Sequence, residues 1–232
     1  MIEVNGVTKR YGRATVVHDV SLRCEPGTVT GFVGPNGAGK STTLRIICGL
    51  TRPDRGRALV CGRAFRDLDR PGRRCGVLLD AGAQHAGRTA RETLLLSARL
   101  LGAPPARADE VLDLVGLAPH ARRRVRGFSL GMRQRLGVGH ALLGRPEVLI
   151  LDEPANGLDP EGIRWMRELL RTHAEQGGTV LLSSHLLSEV ERTADHLVVL
   201  AAGRVVAAGS RTALAGPDGL EAEFLRLTAA PR

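Results

Sequence analysis

Between Val33 and Thr42 the chain reads VGPNGAGKST. Residues Gly34 to Ser41 fit the spacing G-x-x-x-x-G-K-[ST], with an apolar run, TVTGFVG, ahead of them and a helical pattern, KSTTLRIICGL, behind. Gly34, Gly37 and Gly39 let main-chain N–H groups turn inward around an anion, and a helix beginning near Lys40 adds the positive end of its dipole. Pro35, Asn36 and Ala38 complete the loop. Ser41 offers a hydroxyl to Mg²⁺ and Thr42 one to a phosphate.

Lys40 is one of only two lysines among the 33 basic residues. A compact ammonium on a flexible stem lies along the β- and γ-phosphates inside a tight loop, where a planar guanidinium would collide. The segment therefore demands a triphosphate, and it leaves open which of many nucleotide-using chemistries follows.

With 232 residues, 43% of them hydrophobic and only 3% aromatic, the core is built from Leu, Val, Ala and Ile. The longest apolar runs are far too short to span a bilayer. The N-terminus MIEVNGVTKRYG lacks the order of a secretory signal. Cys24, Cys48, Cys61 and Cys75 show no metal-binding spacing, so reduced structural thiols are expected. A net charge of +9 permits nucleic acid, an anionic membrane face or a phosphorylated ligand as partner. The arginines are scattered, however, and only ARRRVR (121–126) is dense.

The first thirty residues alternate apolar and polar positions, as half-buried antiparallel strands do, with turns expected at Asn5-Gly6 and Pro26-Gly27. Strand-like runs follow at GRALVCG and CGVLLD. From about Thr89 to Leu142 the apolar residues are spaced at three and four, the period of amphipathic helices. Strands and helices then alternate through EVLILDE, GIRWMRELLRTHAEQG, TVLLSS, LLSEVERTA and HLVVLA, which predicts a parallel sheet covered by helices. A last helix is expected near 220–227. The fold class is thus α/β: a mostly parallel P-loop core, an N-terminal antiparallel β lobe and an inserted α-helical subdomain. Residues 1–85 and 143–232 form the core with its β lobe, and 86–142 the helical part of one domain.

EVLILDEP (147–154) supplies the second half of a site. A buried strand ends in Asp152, placed for the shell of Mg²⁺, and Glu153 next to it is suited to orient and deprotonate a water.

In their order, VGPNGAGKST, FSLGMRQRL, VLILDEPANGLDP and LLSSHLLSEVE resemble the nucleotide-binding subunit of ABC transporters, over essentially the whole chain. The likeness is greatest to two-component exporters of the drug- and antibiotic-resistance type of actinomycetes. It implies an ATPase with Lys40, Glu153 and His185 as catalytic residues, His185 being the switch histidine that bonds the γ-phosphate. It implies that Ser129, Gly131 and Met132 form a signature loop reaching the nucleotide of a second copy, with Leu130 and Met132 departing from the commonest pattern. Asp159 falls at the dimer-contact loop, and Tyr11 matches the aromatic that stacks on adenine. Trp165 reads as packing.

Asp80 stands where the family usually has a glutamine near Mg²⁺, and Gln84 lies four residues too late. The expectation is that Asp80 keeps a metal-proximal role with altered coupling. The resemblance further implies a separate transmembrane permease, a homodimer formed on ATP binding, and a place on the cytoplasmic face of the membrane. No nucleic-acid partner is expected. The alternative, a non-transport ATPase of the same family acting on nucleic acid or ribosomes, usually carries paired domains or coiled-coil insertions that 232 residues do not hold.

Overall fold

The computed structural model describes residues 1–229, with every side chain among them except that of Glu189. Two sheets organise it. Strands β1 (Ile2–Tyr11) and β2 (Ala14–Cys24) form a hairpin closed at Gly12, and the other edge of β1 pairs with β4 (Arg55–Val60), giving the antiparallel order β2-β1-β4.

The expected turn at Asn5-Gly6 is instead an irregularity inside β1. Register slips between Val4 and Val7 against β2 and between Asn5 and Thr8 against β4, while Gly6 sits at φ 58°. Glycine accepts that left-handed backbone, so the strand bends there without reversing. The turn at Pro26-Gly27 does lead from β2 into β3 (Thr28–Val33).

The main sheet runs β5 (Cys75–Leu78), β6 (Val148–Asp152), β7 (Thr179–Ser184), β3, β8 (His196–Ala201), β9 (Arg204–Ser210). Its first five strands are parallel, and β9 adds antiparallel to β8 through Ala202-Gly203, both at positive φ. β9 lies at the edge with alternate residues exposed, but its apolar residues Val205 to Ala208 are contiguous in the sequence, so no alternation announces it.

Alternate residues of β6 serve two cores, as a strand buried on both faces requires. Val148 and Ile150 join Phe32, Leu44, Ile47 and Leu200 on the side of α1 (Lys40–Ile47) and the small sheet. Leu149 and Leu151 join Met166, Leu170 and Leu182 on the opposite face. Each such fully buried leucine or isoleucine contributes about 1.5–3 kcal/mol relative to exposure.

The single turn α2 (Pro71–Arg74) leads into β5, and between β5 and β6 the chain leaves the sheet. Helices α3 (Ala90–Leu100), α4 (Ala106–Leu114) and α5 (Leu130–Leu142) close around their own apolar cluster, centred on Leu94, Leu112, Leu117 and Leu136. Thr89 and Glu92 open α3 with reciprocal hydrogen bonds to each other's main chain, which satisfies two N–H groups that a helix start leaves bare. On the second core face, α6 (Pro160–Glu175) covers the sheet, and α7 (Leu187–Glu191) crosses β3. A Cβ at Gly31 would lie 2.1 Å from Cγ1 of Val190, so glycine permits that crossing. Trp165 on α6 is a packing residue: its Nε1 donates to the Leu114 carbonyl at 3.2 Å, and the Arg135 guanidinium lies 4.2 Å from its ring centre. The single turn α8 (Arg211–Leu214) and α9 (Leu220–Thr228) end the described chain.

Candidate functional site

Parallel register brings the chemistry to one edge of the main sheet. Val33 pairs with Ser184 across β3 and β7, and Asp152 with Ser183 across β6 and β7. The loop after β3, the acidic pair after β6 and His185 after β7 therefore emerge together at the carboxyl ends of neighbouring strands, where open α/β sheets hold ligands.

The loop from Gly34 to Gly39 leads directly into α1. Gly37 and Gly39 take φ 79° and 104°, and Cβ atoms at Gly34 and Gly39 would fall 2.2 Å from the Leu200 carbonyl oxygen and 2.6 Å from that of Val16. Only glycine fits these positions. Asn36 to Thr42 line a cleft of about 250 Å³, closed by Val16 on one side and Glu153 on the other.

The Lys40 ammonium is buried inside this loop and donates to the carbonyls of Gly34 at 2.6 Å and Pro35 at 3.3 Å. Glu153 Oε1 stands 3.9 Å away. Burial pulls the Lys40 pKa below its ordinary value, while the charges of Glu153 and Asp152 oppose that pull. The loop thus presents a cation and a helix N-terminus to one small cleft, which fits a phosphate chain.

Glu153 is held from three sides. Its backbone adopts φ 49°, a left-handed conformation that a non-glycine residue keeps only when its surroundings demand it. Its N–H donates to Ser183 Oγ at 3.1 Å, and Ser183 Oγ in turn donates to Asp152 Oδ1. Its carboxylate Oε2 lies 2.8 Å from His185 Nδ1. Ser183 is wholly buried and was not singled out by its sequence context, because the only signal is its register opposite Asp152.

Ser129 and Asp159 are each the N-cap of a helix. Ser129 Oγ accepts from Met132 N at 3.2 Å to start α5, and Asp159 Oδ1 accepts from Gly162 N at 2.8 Å to start α6. The two loops touch: a Cβ on Gly131 would approach the Gly157 carbonyl oxygen to 2.8 Å, and one on Gly157 would strike Leu130. None of Ser129, Gly131 and Met132 lines the cleft beside Lys40.

Tyr11, at the tip of the β1–β2 hairpin, is half exposed, with the Lys9 ammonium 5.4 Å from its ring centre. Asp80 is exposed, accepts from Gly82 N at 2.6 Å within its own turn, and does not line the cleft. Gln84 reaches the signature helix instead, where its Nε2 donates to the Arg133 carbonyl at 3.1 Å. All four cysteines are free, and burial pushes the Cys24 and Cys48 thiols up to about 12, which leaves them inert. No described helix is long and apolar enough to cross a membrane.

Residues 17–156 match the family described as ABC transporter. The chain belongs to that family. It is 42% identical over 209 residues to the bacitracin transport ATP-binding protein BcrA of Bacillus licheniformis, covering 89% of this chain and 68% of that protein. It is also 42% identical over 223 residues to the daunorubicin resistance ATP-binding protein DrrA3 of Streptomyces coeruleorubidus, covering 94% of this chain and 71% of the relative. Among solved structures, an ATP-binding subunit of an ABC transporter superposes with a TM-score of 0.88 at 30% identity, over 99% of this chain and all of that one. A dimeric post-hydrolysis ATP-binding cassette with ADP and Pi matches with a TM-score of 0.82 at 25% identity, over 90% of this chain and 98% of that one. As a member of the ABC transporter family with this site, the chain is an ATP-binding subunit and an ATPase.

Proposed function

We propose that the chain is the motor of a two-component exporter of a drug, antibiotic or similar small molecule, and that it works as a pair of copies around two ATP molecules. The observation that carries this reading is the separation of the two halves of the site. Lys40 and Glu153 line the cleft, His185 is bonded to Glu153 and Asp152 is tied to Glu153 through Ser183, whereas the signature loop lies off the cleft in the same chain. A second copy, placed head to tail, supplies the missing half.

Lys40 and the loop N–H groups hold the phosphates, and Tyr11 offers its ring to the adenine. Glu153 accepts the proton of the attacking water, and His185 keeps the carboxylate aimed through Nδ1; with a proton on both ring nitrogens, its Nε2 also donates to the γ-phosphate. The signature loop of the partner copy contributes Ser129, Gly131 and Met132 at the N-terminus of α5, where main-chain N–H groups favour a developing negative charge.

Ser41 and Asp152 fit Mg²⁺. No described group of three or more His, Cys, Asp or Glu side chains is placed to hold a metal, as expected for an ion that arrives with the substrate's phosphate oxygens. When bound, Mg²⁺ would withdraw charge from the phosphates. Asp80, which does not line the cleft, is assigned a metal-proximal role with altered coupling from its place in the sequence.

Residues 1–85 and 143–232 act as the ATP-binding core and 86–142 as the helical arm through which closure is passed on. The partner is a separate permease, with the chain on the cytoplasmic face of the membrane. Co-expression with a multi-helix membrane protein tests the reading: copurification and ATP-dependent efflux that Lys40→Ala abolishes support it. Salt-sensitive binding to RNA at physiological ionic strength, without such a partner, would contradict it.

A further inference from the structure

We infer that Gln134 is a positioning residue for the catalytic carboxylate, joining the signature helix of each copy to that copy's own Glu153. This rests on the assignment of Glu153 as the base.

Gln134 is buried one turn into α5. Its Nε2 donates to the Glu153 main-chain carbonyl at 2.9 Å, a contact between residues nineteen positions apart that spans the helical group and the sheet. That carbonyl also accepts from Asn156 N at 3.2 Å. With the N–H on Ser183, both main-chain polar groups of Glu153 are occupied.

These bonds hold a conformation that the residue would otherwise leave. A left-handed glutamate costs on the order of 1–3 kcal/mol and persists only if its partners fix it. Released, Glu153 relaxes toward φ < 0, and its side chain swings away from His185 and the cleft.

The link is local to the signature. Residues Ser129 to Met132 precede Gln134 on the same helix start, and Leu130 rests on Gly157 of the loop that follows Glu153. A shift of α5 when its N-terminus meets the phosphates of the other copy's nucleotide therefore moves the amide that holds Glu153. Engagement at one site is felt at the carboxylate of the other through one hydrogen bond and one packing contact.

The test compares Gln134→Met, which keeps the volume and loses the donor, with Gln134→Glu, which keeps the shape and sets an acceptor against the carbonyl. Glu153→Gln is measured alongside. Both Gln134 variants are expected to lose about tenfold or more in kcat, with KM for Mg·ATP within about twofold, because only the reacting geometry is disturbed. Near-normal kcat in whichever variant still binds nucleotide, with Glu153→Gln inactive, overturns the inference and leaves the base assignment standing. Loss of nucleotide binding in both variants also overturns it, since the amide would then sustain the fold rather than place the carboxylate. A Glu153→Gln variant that turns over normally refutes the base assignment instead.

Discussion

His185 Nδ1 lies 2.8 Å from Oε2 of Glu153, so the two residues expected to act on the γ-phosphate and on the water already form a pair. The imidazole fixes one carboxylate oxygen. The other faces the Lys40 ammonium at 3.9 Å. A carboxylate held at both oxygens loses little orientation freedom before reaction, which is the geometric condition for an efficient base.

Removing the imidazole therefore separates positioning from binding. His185→Ala is expected to lower kcat by roughly 10²-fold while leaving the affinity for Mg·ATP within a few-fold, because phosphate contacts of the loop are untouched. Steady-state ATPase assays with parallel nucleotide titration read both quantities.

Ser183 makes a second prediction. Its hydroxyl bridges the Asp152 carboxylate and the Glu153 N–H from a fully buried position. Ser183→Ala leaves that N–H without a partner, at a cost of about 1–3 kcal/mol in stability. Unlike an ordinary core change, it should also reduce kcat. Denaturant melts and turnover on one preparation distinguish the two effects.

The P-loop, the acidic pair and the helical insertion were legible because each is a local pattern: glycines at fixed offsets, an apolar run ending in carboxylates, a change of period. Ser183 and Gln134 were not. Ser183 matters because β6 and β7 pair in one particular register, and Gln134 because α5 faces the loop after β6. Both are consequences of tertiary packing between segments far apart in sequence. The expected turn at Asn5-Gly6 failed for the complementary reason: local chemistry permitted a reversal, and pairing on both edges of β1 kept the strand running. RVVAAGS places its four apolar residues in one run instead of alternating them with polar ones, so the period of an edge strand was not visible there.

Acid should weaken the fold before the carboxylates titrate. Burial holds the His173 imidazole below its ordinary value, opposed by a hydrogen bond to the Glu147 main chain, and its Nε2 is buried without a partner. The native state thus binds fewer protons than the unfolded chain once the pH falls below about 6.5, and stability drops as the pH falls from there through the lowered native value. Melting temperatures across pH 8 to 5.5 are expected to fall at the acid end, and His173→Leu is expected to reduce that slope.

Glu153→Gln addresses the central claim most directly. The substitution keeps the shape of the side chain and removes its ability to take a proton. Purified protein carrying it should bind Mg·ATP, lose about 10²-fold or more of its turnover, and accumulate as an ATP-dependent dimer in size-exclusion chromatography with light scattering. Turnover close to that of the unaltered chain, with no dimer on addition of ATP, would contradict a composite two-copy site with Glu153 as its base.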